Sequence, residues 1–168
     1  RLPESDAGIF WVTGDKERQA SGRLYPLGLS AMGGNPSRIL LVQTADLRDA
    51  LRAAADAIRS KAARAVILET HGNARMVDLT STRRLALAAA ESGVLALLVR
   101  GDAAPMPSAA STRWRICSAP SVPLPGNAPG LPTFDINLLR HRGGTASFAA
   151  RVTWDHATRS FFDTPLSG

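Results

Sequence analysis

The sequence predicts an α/β fold: a mostly parallel β-sheet flanked by helices, with antiparallel strands at the C-terminal end. Three observations carry that expectation. Short apolar runs beginning at Ile9, Ile39, Ala65 and Val94 lack the polar alternation of a half-wet strand, so each reads as a strand buried on both faces. Segments with helical character separate these runs, and helical crossovers are what parallel pairing requires. After Arg100 the runs alternate in polarity and their connections shorten, which is the pattern of antiparallel pairing.

Taken in order, Ile9 to Thr13 forms a strand that ends in a turn at Gly14 and Asp15. Gln19 to Met32 is expected to be helical, and Gly33, Gly34, Asn35 and Pro36 lead from it into the strand Ile39 to Val42. A helix begins after Asp46, its cap, because Leu47, Ala50, Leu51, Ala54 and Ile58 fall on one stripe at three- and four-residue spacings. Ala65 to Leu68 is the third strand, and His71 to Arg75 a turn. The next helix starts near Asp78 or Thr80 and runs to Ser92, where Gly93 stops it before the fourth strand, Val94 to Val99. Loops rich in small residues, Pro and Gly follow at 103–111 and 122–132. Between and after them, Arg113 to Cys117, Phe134 to Arg140 and Ser147 to Trp154 alternate, and they are expected to extend the same sheet in antiparallel fashion.

With 168 residues, 45% of them hydrophobic, the chain fits one globular domain over its whole length. It contains no run of about 18 apolar residues that would read as a membrane span. One cysteine, Cys117, excludes an internal disulfide, so a reducing compartment such as the bacterial cytoplasm is expected. A net charge of +6, nearly all of the basic residues being arginine, suits an anionic partner, nucleic acid first. Because the sequence opens on Arg1, it reads as a piece of a longer chain.

Elements of catalysis are sparse. Cys117 is expected to be a small buried packing residue, and His71, His141 and His156 are too dispersed for a metal site. No phosphate-binding G-x-x-x-x-G-K-[ST] loop is present, and the pairs Gly33-Gly34 and Gly143-Gly144 read as turns. Two acids stand out. Asp15 follows the first strand and Glu69 ends the third, so a parallel sheet places both at its carboxyl edge, where open α/β sheets bind ligands. There they could serve as a Mg²⁺ ligand and a water-orienting acid, or simply be solvated or capping acids. A run of arginines is the third feature. Arg113 and Arg115, then Arg140 and Arg142 around His141, then Arg151 and Arg159, could grip phosphate or carboxylate with guanidinium forks or could form a solvated strand face. Arg83-Arg84 on the second long helix has a weaker claim.

Several stretches together resemble the ImuA proteins, RecA-like accessory factors of bacterial damage-induced mutagenesis. These are Gly22-Arg23-Leu24-Tyr25-Pro26-Leu27-Gly28-Leu29, Pro36 to Val42, Asp78 to Leu85 with Ala88 to Gly93, Ser111 to Arg115, and Leu138-Leu139-Arg140-His141-Arg142-Gly143-Gly144. The resemblance implies a RecA core lacking its first strand and phosphate-loop region. It places the catalytic acid of RecA at Asp15 and the Walker B acid at Glu69. It places the DNA-facing loops at 70–77 and 101–111, and the lysine pair that reaches a neighbouring subunit's nucleotide at Arg140 and Arg142. The sequence departs from RecA at Arg100-Gly101, where RecA has Asn-Gln, and in the following loop, which is short and carries Asp102. A carboxylate there repels a phosphate backbone.

What the resemblance implies for function is a non-catalytic adaptor in SOS-induced translesion synthesis. Its partners would be ImuB, an inactive Y-family polymerase relative, and an error-prone DnaE-type polymerase, with RecA, DNA or further copies of itself as additional contacts. Two alternatives stay open. One is a DNA-dependent ATPase of the RecA type, using ATP and Mg²⁺ through a phosphate loop outside the given sequence. The other is a SulA-like inhibitor of cell division that binds FtsZ.

Overall fold

The computed structural model describes residues 8–164. They divide into two compact units, one of residues 8–26 and 35–110 and one of residues 27–34 and 111–164. The first unit is the predicted α/β core. Its strands are β1 (Gly8–Gly14), β2 (Ile39–Thr44), β3 (Ala63–His71) and β4 (Leu95–Gly101), all parallel, in the order β2-β1-β3-β4.

The long helices lie where the periodicity predicts them. In α3 (Leu47–Ser60), Asp46 caps the N-terminus by accepting from the Asp49 amide at 2.9 Å. In α4 (Leu79–Ser92), Asp78 and Ser81 cap one another reciprocally, and Gly93 closes the helix at φ 75°, a left-handed conformation without penalty only for glycine. Both helices pack on one face of the sheet. Ala50, Ala54, Ile58, Leu85 and Ala88 are buried against Val12, Val66 and Leu68, and the small alanines let the helices approach closely. The opposite face differs from the expectation of strands buried on both sides: Leu41, Leu95, Leu97 and Val99 are all exposed there. A missing polar alternation records that neither face is polar; it does not record how many helices cover the sheet.

The N-terminal helix needs correction. The expected turn at Asp15 is the first residue of α1 (Asp15–Ser21), and the expected helix Gln19 to Met32 is broken into α1 and α2 (Pro26–Ala31). Gly22, at φ 83°, ends the first piece, and Pro26, which has no amide hydrogen to donate, opens the second.

In the second unit β5 (Thr112–Ala119), β6 (Thr133–His141), β7 (Phe148–Asp155) and β8 (Ser160–Thr164) form an antiparallel meander. It is a separate sheet rather than an extension of the parallel one. β8 escaped prediction because its five residues, Ser160 to Thr164, are too few to establish a period. A ladder of hydroxyls runs across the sheet from Thr133 to Thr153 at 2.9 Å and on to Thr164 at 2.7 Å. Trp154 packs edge-on against Phe161 and donates its indole N–H to the Ala31 carbonyl at 3.3 Å, which ties residues 27–34 to this unit. Cys117 is exposed on β5, not buried; it sits near an end of an edge strand, where few neighbours cover it. Among the described residues no helix is long and apolar enough to cross a membrane.

Candidate functional site

At the carboxyl edge of the parallel sheet, Asp15 and Glu69 are engaged separately. Asp15 opens α1 and pairs with Arg18 one turn later at 2.9 Å. Glu69 is not the last residue of its strand, since β3 continues to His71. Its Oε2 accepts from the indole Nε1 of Trp11 on the neighbouring strand β1 at 3.0 Å. The two residues lie on the same sheet face, because Trp11 is in register with Ile67, two positions before Glu69. A cavity of about 280 Å³ opens there, lined by Trp11, Leu41, Gln43 and Glu69, with Arg18 and Arg23 contributed by α1 and the segment after it.

Trp11, Arg18 and a third residue, Glu17, were not singled out from the sequence. Trp11 is one apolar residue among several in its run. Arg18 would have stood out at three residues from Asp15 had the helix been started at Asp15. Glu17 is buried, with its carboxylate packed under Gly14. A Cβ at Gly14 would meet that carboxylate, the far end of a side chain that can shift aside.

The Asp15 and Glu69 carboxylates both have intramolecular partners, and among the described residues no three His, Cys, Asp or Glu side chains converge to hold a metal ion. The loops that the resemblance assigns to DNA are bonded to each other. The Gly72 amide donates to the Gly101 carbonyl at 2.8 Å and the Ala104 amide to Asn73 Oδ1 at 3.0 Å, while the Ala109 amide donates to Thr82 Oγ1 of α4 at 3.2 Å.

The arginines converge at one end of β5 and β6. Leu139 is an extra residue in β6 opposite the Arg113–Trp114 step, and this irregularity brings Arg140 into register with Arg113. Arg115 is in register with Asn137, and Thr112 with His141. Arg142 lies past the strand, where period-two spacing no longer applies, but its amide donates to the Ser111 carbonyl at 2.9 Å and holds it at the same end. Arg115, Arg140 and Arg142 are exposed.

Arg151 does not join them. It grips Asp135 on the next strand with two hydrogen bonds, Nε to Oδ1 at 2.7 Å and a terminal nitrogen to Oδ2 at 3.0 Å. The Arg151 bond holds the Asp135 carboxyl below its ordinary range. A depressed carboxylate stabilises the fold above its unfolded value of about 3.9 and loses that contribution as pH falls through the lower folded value. Asp135→Asn is therefore expected to be less stable than wild type at pH 5 and equally stable near pH 2, as read by urea unfolding at successive pH values. A difference that persists undiminished at pH 2 would refute the pair's role.

Fold and arrangement define an α/β protein with a helix-capped parallel core, a carboxyl-edge cavity and an arginine-rich antiparallel sheet. No protein-family model matches the chain. It is 33% identical over 147 residues to Protein ImuA from two strains of Caulobacter vibrioides, NA1000 / CB15N and ATCC 19089 / CIP 103742 / CB 15, an alignment covering 81% of this chain. The chain belongs to the ImuA family. It spans 56% of the length of these curated relatives.

Proposed function

We propose that this chain is part of a non-catalytic accessory factor of bacterial damage-induced mutagenesis. It acts in the cytoplasm as an adaptor, with ImuB and an error-prone DnaE-type polymerase, in copying past damaged DNA. Kinship with Protein ImuA supports the process, and the separation of the two edge carboxylates supports the absence of turnover: Asp15 pairs with Arg18 and does not line the cavity that holds Glu69. The arginine end of β5 and β6 is assigned to DNA or to a neighbouring subunit, because clustered guanidiniums suit phosphate and carboxylate alike.

The full-length protein is expected to show no DNA-stimulated ATP hydrolysis above background, and Glu69→Gln is expected to leave that result unchanged. Co-purification is expected with ImuB and not with FtsZ. ATP turnover that Glu69→Gln abolishes would replace the adaptor with a RecA-type ATPase, and selective retention of FtsZ would replace it with a division inhibitor.

A further inference from the structure

We infer that the groove between α3 and α4 is a docking site for a short acidic amphipathic helix carried by a partner protein. The groove shares no residue with the Glu69 cavity or the arginine end of β5 and β6, and the inference does not depend on the adaptor reading. Its volume is about 470 Å³. Leu51 and Ala55 of α3, Leu85 of α4 and Met76 from the loop before α4 give it apolar walls. Arg48, Arg52 and Arg59 line the α3 side and Arg84 the α4 side.

Arg48, Leu51, Arg52, Ala55 and Arg59 recur at three- and four-residue steps, so the lined stripe runs about 16 Å along α3, the length of a helix of three turns. An apolar stripe seated on Leu51, Ala55 and Met76 removes that surface from water, as helix-in-groove recognition requires. Charge selects the flanks of the occupant. Arg52 and Arg59 each hold an aspartate of their own helix, Asp49 at 3.5 Å and Asp56 at 3.1 Å. Among the described residues no carboxylate pairs with Arg48 or Arg84, and the one acid in the lining, Asp78, is used in the cap of α4. Glutamates on either side of the incoming stripe complete these two arginines. A phosphate backbone fits less well, because it has no apolar surface to place on Leu51, Ala55 and Met76.

The test uses the whole chain, immobilised, and a displayed library of helical peptides about 14 residues long. Leucine is fixed at i, i+3 and i+7 and the other positions vary among Glu, Lys, Gln and Ala. Selection is expected to enrich Glu. The best binder, followed by fluorescence anisotropy, is expected to lose at least about tenfold in affinity to the chain carrying Arg48→Glu with Arg84→Glu. Its Lys-for-Glu counterpart is expected to prefer that double variant over wild type. Met76→Glu, at an exposed position, is expected to weaken both peptides, with far-UV spectra unchanged in all variants. No enrichment, enrichment without charge preference, or full affinity in the double variant would overturn the proposal. So would a poly-dT oligonucleotide that binds wild type and is lost in the double variant, which would make the groove a nucleic-acid site.

Discussion

Leu68→Asp is expected to leave the parallel-sheet unit unfolded. Leu68 is 2% exposed on β3, in register with Val12 on one side and Leu98 on the other, beneath the α3 and α4 helices. A carboxylate there has no partner and must either stay charged in an apolar core or take up a proton, at a cost of several kcal/mol. That is comparable to the whole stability of a domain, about 5–15 kcal/mol. Amide hydrogen exchange is the measurement, because it reads this unit by itself: peptides from β1, β3 and β4 should exchange at rates of an unfolded chain. Protection of β3 at wild-type levels would show that its side-chain facing is misassigned. Leu51→Asp should act more mildly than sequence periodicity implies, since Leu51 is only half-buried and borders the α3–α4 groove.

Arg140→Ala combined with Arg142→Ala is expected to give the largest functional loss. Both guanidiniums stand at the end of the antiparallel sheet where Arg113 faces Arg140. Binding to single-stranded DNA should weaken at least tenfold at about 0.1 M salt. Two lost phosphate contacts should lower the slope of log affinity against log salt by about 1.4. If the cluster serves assembly instead, sedimentation should show fewer or smaller oligomers while DNA binding holds. Wild-type behaviour in both measurements would remove these arginines from the functional surface.

Much of the first unit was legible along the chain because its signals are local. Asp46, Asp78 and Gly93 mark helix ends through contacts within one turn, and the stripe from Leu47 to Ile58 is a property of helical geometry alone. The same local logic misled at residues 19–32, where apolar content outweighed a left-handed Gly22 and Pro26. It misled again at Cys117, whose burial depends on what lies beside an edge strand.

The candidate sites divide in the same way. Asp15, Glu69 and the four arginines could be named from position, but their partners could not. Trp11 meets Glu69 across 58 residues, and Arg151 meets Asp135 across 16. Arg140 faces Arg113 because β6 carries an extra residue at Leu139.

The sequence by itself determined the α/β class, the two long capped helices and the residues that bury them, since three-, four- and two-residue periods are set by backbone geometry. Only the tertiary structure decided that the antiparallel strands form their own sheet, that Glu69 is held by an indole, and that four arginines gather at one end. Each of these depends on strand register and chain path, which arise from packing between distant segments and leave no period in either segment alone.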